Sequence, residues 1–277
     1  MAASNPPTTP QPTTAKSNGS SKRAPSLPML YKRLEPFNRD RHANLRLRKP
    51  EDFGFARNAG VVPLTLTEFA AAAQYYPIVF LQATPDKQPM PVAILGSRPE
   101  ENLYVDAAGR WRPGHYVPAY LRRFPFITGD GAKPGQAVVF VDVESDKLSP
   151  IDGRALFTKG EATEFAKGAI ELCQRYHQAA ALTDRFAQAI AAAGVLADRV
   201  IEAKDQTGAK LSWRGMKAVD QEKLTKVDGK EFLAWRDRNW LAPIYLHQFS
   251  IGHFGEIAAT TLATQGAKAA AAKPGKK

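Results

Sequence analysis

A helix followed by a buried strand is predicted by one stretch of the sequence, Leu64-Thr65-Leu66-Thr67-Glu68-Phe69-Ala70-Ala71-Ala72-Ala73-Gln74-Tyr75-Tyr76-Pro77-Ile78-Val79-Phe80-Leu81. Thr65 is a good helix N-cap, and Glu68 lies three residues later, where its side chain can bind the backbone at Thr65. The helix should reach about Tyr75, because Pro77 cannot extend it. The apolar run 78–81 that follows predicts a strand buried on both faces.

Further strands are predicted on the C-terminal side of this stretch. The runs 91–96, 103–105 and 137–143 are short, apolar and rich in β-branched residues. The connections between them are too short for helical crossovers, so the strands should pair mainly antiparallel. The Gly/Pro-rich segment 129–135 leads into a strand and not into a helix N-terminus, so it is interpreted as a hairpin loop rather than a phosphate site.

The second half of the chain is mostly helical in pattern. Thr158 and Glu161 have the spacing of a second capping box. Apolar residues then recur at helical spacing, which predicts a helix that could break near His177 and that ends at Gly194. The polar turn 205–208 lies between two apolar runs and predicts a small hairpin.

Two more helices are predicted over 230–237 and 240–262, and the second is apolar on nearly every side, which predicts burial. The fold class is therefore α+β, with a mainly antiparallel sheet in the N-terminal half and a helical C-terminal half in a single domain over 31–263. Residues 1–30 and 264–277 are predicted to be disordered tails, because they offer too little apolar surface to offset chain entropy.

The net charge of +11 in this chain of 277 residues lies mostly outside the main body. The two tails contribute +7, segment 31–49 contributes +5, and residues 50–263 are left with −1. Flexible basic ends can touch acidic surfaces weakly but form no groove-reading element. We therefore expect no specific nucleic-acid partner, and no apolar run is long enough for a transmembrane segment.

Few residues suggest metal, cofactor or nucleophile chemistry. Cys173 is the single cysteine, and its position on an apolar stripe favours a buried structural thiol. The five histidines show no metal-clip spacing and are interpreted as core or interface residues. Asp142, Glu144 and Asp146 alternate as oxygen ligands on one face of a strand would, although a solvated strand end is the favoured interpretation. We expect no metal and no cofactor.

The densest group of binding-type side chains lies over 116–126. Arginine can hold a carboxylate or phosphate with two parallel hydrogen bonds, and aromatic rings can stack on planar ligands. If this segment is one helical turn followed by an extended stretch, its two arginines point in different directions. The alternative is a packed turn whose arginines are ion-paired. The ligand-binding candidates are Tyr76, Tyr116, Tyr120, Arg122, Arg123, Phe124 and Phe126.

Several segments taken together resemble the SapC family of bacterial proteins. They are 60–69, 76–80, 117–126, 155–157, 216–224 and 241–255. The resemblance covers about residues 35–258, and it rests on the ordered set of segments rather than on one catalytic motif. It implies association with a bacterial surface layer, and no reaction mechanism accompanies the family name.

Two functions follow as expectations. The first is a non-catalytic binding or assembly protein of a surface-layer or envelope pathway, which contacts a protein partner through the aromatic side chains of 70–126, Tyr75 and Tyr76 included. The alternative is a soluble enzyme or small-ligand carrier, with an Arg/aromatic pocket around 116–126 for an anionic or aromatic ligand. The sequence shows no secretory signal, which predicts a cytoplasmic location, with signal-independent export to the cell surface as the alternative.

Overall fold

The computed structural model describes residues 27–84, 86–131, 137–204 and 210–271 of the chain. The strands of this part are β1 (Leu34–Pro36), β2 (Arg46–Leu47), β3 (Val61–Pro63), β4 (Ile78–Leu81), β5 (Met90–Ile94), β6 (Phe126–Asp130), β7 (Ala137–Asp142), β8 (Leu148–Ser149), β9 (Arg154–Ala155), β10 (Phe157–Thr158), β11 (Glu161–Ala162), β12 (Leu196–Lys204) and β13 (Lys210–Val219). The helices are α1 (Arg39–His42), α2 (Phe69–Ala72), α3 (Ala119–Arg122), α4 (Glu164–Ala192), α5 (Gln221–Leu224), α6 (Gly229–Asp237), α7 (Leu241–Ser250) and α8 (Phe254–Ala271). Short 3-10 helices cover Gly54–Ala56, Leu66–Glu68 and Ile251–His253.

The largest sheet has five antiparallel strands in the order β12-β13-β4-β5-β3. The buried run that follows Pro77 is its central strand β4, and the predicted antiparallel pair of β4 with β5 is confirmed. Side chains of β4 alternate between the two faces, so Ile78 and Phe80 enter the main core while Val79 enters a second core. Helices α4 and α7 contribute to the main core, and α8 covers the other face of the sheet.

A second, three-stranded antiparallel sheet has the order β1-β7-β6, and it packs against the first half of α4. At about 1.5 Å per residue, the 29-residue α4 is about 44 Å long. This length lets one helix serve both sheets, since Cys173 lies in the core of the small sheet and Phe186 lies in the main core. The α+β class is confirmed, with the sheets mainly in the N-terminal half.

The predicted start of α4 at Thr158 is wrong. Thr158 and Glu161 face each other across the β10–β11 hairpin, whose turn is closed by Lys159 and Gly160 at φ values of 51° and 81°. The spacing from Thr158 to Glu161 fits a capping box and also a four-residue turn. The positive φ values of the two residues between them show that the segment forms the turn. Thr163 is the N-cap, since its hydroxyl accepts a hydrogen bond from the N–H of Ala166 at 3.2 Å.

Helix α4 then runs without a break through His177, contrary to the predicted interruption. Its predicted end is confirmed, because Gly194 adopts φ of 68° directly after the helix. The left-handed conformation at this position is one that glycine adopts without strain.

Thr163→Ala is expected to lower the free energy of unfolding by about 1 kcal/mol, the usual cost of a lost N-cap. The threonine hydroxyl also donates to the carbonyl of Ala155 at 2.9 Å, so the substitution removes two hydrogen bonds. Urea unfolding measures the effect. Thr158→Ala is the matched control, because Thr158 is exposed and should change stability by less than about 0.5 kcal/mol. If both substitutions lowered the free energy of unfolding by the same amount, the result would contradict Thr163 as the N-cap of α4.

The predicted helix 240–262 is two helices, α7 and α8, joined by a 3-10 turn. The prediction that it is buried is wrong in part, because Phe249 on α7 is 81% exposed. Helix α8 continues to Ala271, past the residue at which the sequence places the C-terminal tail. Residues 1–26 and 272–277, part of the loop 129–135 and the turn 205–208 lie outside the described residues.

Side chains of α7 complete the hydrogen bonding where β4 and β13 diverge. The two strands share one register pair, Lys217 with Phe80. Beside it, Nε2 of the buried His247 accepts a hydrogen bond from the N–H of Val219 at 3.0 Å, and its Nδ1 donates to the carbonyl of Ile78 at 2.6 Å. Burial lowers the pKa of His247 to about 4, so this core histidine is neutral at physiological pH.

The aromatic contact surface predicted over 70–126 is wrong, because most of these rings fill the main core. Tyr76, Tyr104 and Trp111 are buried and pack edge-to-face or stacked on one another. The Tyr76 hydroxyl donates to the carbonyl of Tyr116 and accepts from Nε1 of Trp111, which satisfies its polar end. Tyr75, on the rim of this cluster, is half-buried.

Candidate functional site

The predicted binding segment 116–126 forms α3 and leads into β6, and it separates the candidate residues into three environments. Tyr116 and Arg122 line a cleft against α4. Phe124 lines a different cleft. The other candidates, Tyr76, Tyr120, Arg123 and Phe126, are buried in the cores.

The first cleft has a volume of about 370 Å³ and lies between the 3-10 helix Leu66–Glu68, α3 and α4. Tyr116 and Arg122 come from the segment around α3, and Arg175 and Tyr176 come from α4. We call it the arginine cleft. Two cations and two aromatic rings therefore face the same space.

The carboxylate of Glu68, which is 4% exposed, holds the elements of the arginine cleft together. Its Oε2 accepts hydrogen bonds from the N–H and the hydroxyl of Thr65, at 2.9 and 2.8 Å. Its Oε1 accepts from the hydroxyl of Tyr116 at 2.9 Å and from the N–H of Ala119 at 2.6 Å. The predicted contact of Glu68 with the backbone of Thr65 is confirmed, and the same carboxylate joins this turn to the start of α3.

Arg122 is held in place by neutral groups. Its Nε donates to the carbonyl of Val117 at 3.0 Å, and its Nη2 donates to the hydroxyl of Tyr116 at 3.0 Å. The guanidinium carbon lies 5.4 Å from the centre of the Tyr116 ring, within cation–π distance. Within the part of the chain that the structure describes, no carboxylate lies within 4 Å of this guanidinium. The charge of Arg122 is therefore positioned but not neutralised.

Tyr116 remains a neutral hydrogen-bonding group in this arrangement. Burial, followed by the negative charge of Glu68, raises the pKa of Tyr116 to about 12. Its hydroxyl therefore keeps its proton at physiological pH, so it can donate to Glu68 while it accepts from Arg122.

Arg123 points away from Arg122, as the predicted turn requires. It is 7% exposed, and its guanidinium carbon lies 4.5 Å from the ring centre of Tyr120 and 4.0 Å from that of Tyr176. The alternative prediction, in which these arginines are ion-paired to Asp or Glu, is wrong. Among the described residues, neither Arg122 nor Arg123 has a carboxylate partner. Because Tyr176 lines the cleft and Arg123 lies 4.0 Å from its ring centre, this buried charge adds to the positive potential there.

Comparison with known proteins identifies the family. A sequence model of the SapC family matches residues 37–257. The chain belongs to the SapC family. The match covers most of the chain and contains every residue named above as part of the arginine cleft. A search of curated proteins found no match, and a search of solved structures found none either.

The larger cleft of this SapC protein has a volume of about 770 Å³, and Phe124 is the predicted residue that lines it. It is also lined by Lys147, Phe55 and Lys49, and we call it the lysine cleft.

Over the residues that the structure describes, no helix is long and apolar enough to cross a membrane.

Other candidate residues of this SapC protein have structural roles. Asp142 is buried, and its carboxylate accepts hydrogen bonds from the N–H groups of Lys32 and Arg33, both at 2.9 Å. Among the described residues, no group of three or more His, Cys, Asp or Glu is placed so that it could hold a metal, and this includes Asp142, Glu144 and Asp146. Cys173 is buried, as predicted, and burial raises the pKa of its thiol to about 12.

Sequence reasoning missed most residues of the two clefts, and Glu68, Arg175 and Lys147 show why. Glu68 was identified as a helix-capping residue, but its contacts with Tyr116 and Ala119 span about fifty positions and leave no local signal. Arg175 reads as an ordinary solvent-facing helix residue, and Lys147 follows a strand in a polar turn. Only the packing of α4 and of the turn after β7 brings them to the clefts.

Proposed function

We propose that this SapC protein is a non-catalytic binding protein whose arginine cleft holds an anionic group, phosphate or carboxylate, of a small ligand. The observation that carries the proposal is Arg122, which is fixed by Val117 and Tyr116 and has no carboxylate partner in the described part of the chain. A guanidinium that is already immobile loses little entropy when it binds an anion.

The charges around the arginine cleft support this choice. Arg122 and Arg175 line the cleft, Arg175 pairs with Glu171 one turn earlier on α4 at 3.2 Å, and Arg123 lies against the Tyr176 ring. The one acidic lining residue, Glu68, has both carboxylate oxygens occupied by hydrogen bonds within the protein. The three arginines outnumber the two carboxylates, Glu68 and Glu171, by one charge, so the anionic group of a ligand meets a net positive charge. The rings of Tyr116 and Tyr176 offer faces for a planar substituent.

The hydroxyl and carboxyl groups of this cleft support binding rather than catalysis. Thr65 lines the cleft, but it is almost fully buried and its hydroxyl already donates to Glu68. Glu68 has no free oxygen to act as a general base, since its four hydrogen bonds build the cleft itself.

Family membership extends the proposal to the pathway. The SapC name is associated with bacterial surface layers, so we propose that the ligand belongs to a surface-layer or envelope pathway. The location stays a prediction, with the cytoplasm first and signal-independent export second. Fractionation of the source cells tests it.

Arg122→Gln is expected to weaken phosphate binding at the cleft about tenfold or more, because a charge-assisted hydrogen bond contributes about 1.5–3 kcal/mol. Calorimetric titration of the full chain with phenyl phosphate, at constant ionic strength, measures the change. Arg236→Gln is the matched control, since Arg236 is exposed and pairs with its neighbour Asp237. Equal affinity of the wild type and Arg122→Gln, or no binding to either, would contradict the proposal.

A further inference from the structure

The lysine cleft contains a buried ammonium group. Lys147 is 8% exposed, and its Nζ donates to the backbone carbonyls of Lys49 and of Asp52, the latter at 2.6 Å. An ammonium has three N–H donors, so one remains. In the described chain, no carboxylate lies within 4 Å of Nζ and no third hydrogen bond is formed.

A buried cation without an anionic partner is costly, and an anion that enters the cleft would offset this cost. The Lys147 ammonium is fixed by its two carbonyl contacts, so it presents its remaining donor without losing side-chain freedom on binding. Burial lowers the pKa of Lys147 although the charges of Asp52 and Glu51 oppose this shift, so these carboxylates offset the cost of burying the ammonium only in part.

An aromatic wall lies next to this ammonium. The rings of Phe55 and Phe124 are stacked with centres 4.4 Å apart, and both line the cleft. Nζ of Lys147 lies 5.8 Å from the centre of the Phe55 ring. A ligand that reaches Lys147 with a charged end can therefore place an apolar, planar body against these rings.

The remaining charges select the type of anion. Four basic and three acidic side chains line the cleft, which gives a net formal charge of +1. Arg48 is paired with Asp152 at 2.8 Å, whereas Lys32 and Lys49 have no ion pair within the described residues. Asp52 and Asp146 would repel a dianion, so a monoanion fits better than a phosphate.

We propose that the lysine cleft is a second binding site, which takes a small carboxylate with a planar apolar body. The carboxylate accepts from the free N–H of Lys147, Lys49 and Lys32 attract it at the rim, and the ring packs against Phe55 and Phe124. This site shares no residue with the arginine cleft, so the two proposals stand or fall separately.

NMR of the full chain with three small probes tests the site. Benzoate, benzyl alcohol and benzylamine have similar shapes and carry negative, zero and positive charge. Benzoate is expected to shift the side-chain signal of Lys147 and to bind about tenfold more tightly than benzyl alcohol, with benzylamine weakest. Phenyl phosphate should bind this cleft less tightly than benzoate. Equal affinity for the three charge types, or no benzoate binding, would overturn the proposal.

Variants locate the probe in the cleft. Lys147→Met keeps the length of the side chain and removes its charge, and it is expected to weaken benzoate binding about tenfold or more. Lys230→Met, on the exposed side of α6, is the matched control. Phe55→Leu keeps Lys147 intact and should weaken benzoate about fivefold, so the test stands even where Lys147→Met does not fold.

Arg122→Gln separates this proposal from the proposed function. It should leave the benzoate-induced shift of the Lys147 side-chain signal unchanged while it weakens phenyl phosphate at the arginine cleft. Loss of all benzoate binding in Arg122→Gln, with no effect of Lys147→Met or Phe55→Leu, would assign the carboxylate to the arginine cleft alone and overturn the second site.

Discussion

His247→Leu is expected to lower the free energy of unfolding by about 4 kcal/mol and the melting temperature by roughly 8–16 °C. Leucine fills a similar volume but leaves the carbonyl of Ile78 and the N–H of Val219 without partners in the core. Each unsatisfied buried group costs about 1–3 kcal/mol. Urea unfolding at pH 7.5 measures the loss.

His177→Leu is the matched control, because His177 is exposed on α4 and should change stability by less than about 0.5 kcal/mol. A loss at His247 no larger than that at His177 would show that the sheet does not depend on α7 for its hydrogen bonds.

The contribution of His247 should also depend on pH. Its pKa of about 4 in the folded protein lies below the ordinary 6.5, so the unfolded chain takes up the proton first as the pH falls. The stabilisation is fully present above about pH 6.5 and is lost towards pH 4, by about 1.4 kcal/mol per pH unit. The stability gap between the wild type and His247→Leu should therefore narrow at pH 5.5 and again at pH 4.5. A gap that stays constant would contradict the neutral, doubly bonded histidine.

Glu68→Gln is expected to cost about 3 kcal/mol of folding free energy, although the side chain keeps its shape. An amide has one oxygen acceptor, and its NH₂ group would face N–H or O–H donors that now bind a carboxylate oxygen. The loss reflects a broken buried network, and thermal unfolding should show a drop of roughly 6–12 °C.

The same substitution should weaken phenyl phosphate binding, because Tyr116 would lose one of the contacts that hold Arg122. Glu222→Gln, on the exposed side of α5, is the control. A stable Glu68→Gln variant with unchanged affinity would show that the carboxylate does not build the cleft.

Local signals predicted much of the fold. Pro77 and the four apolar residues after it place the central strand β4, and Gly194 ends α4, because each depends only on neighbouring residues. The pairing of β13 with β4 could not be predicted in the same way, since it joins residues about 140 positions apart through a single register pair. The predicted start of α4 at Thr158 is wrong because the spacing from Thr158 to Glu161 fits both a capping box and a tight hairpin turn.

The candidate site was predicted less completely, for a related reason. The side-chain chemistry of Arg122 and Tyr116 is visible in sequence, and both line a cleft. The sequence does not show that Arg123 is buried between Tyr120 and Tyr176, because Tyr176 comes from a helix about fifty residues further along. Burial is a property of the assembled fold, and it divides adjacent residues with the same side chain into different roles.

Native mass spectrometry of the full chain, purified from its source cells beside Arg122→Gln, tests the central claim most directly. The proposal predicts a bound small molecule with an acidic group on the wild type, and its loss or strong reduction on the variant. The same set of bound masses on both proteins, or none on either, would contradict an anion-binding role for the arginine cleft.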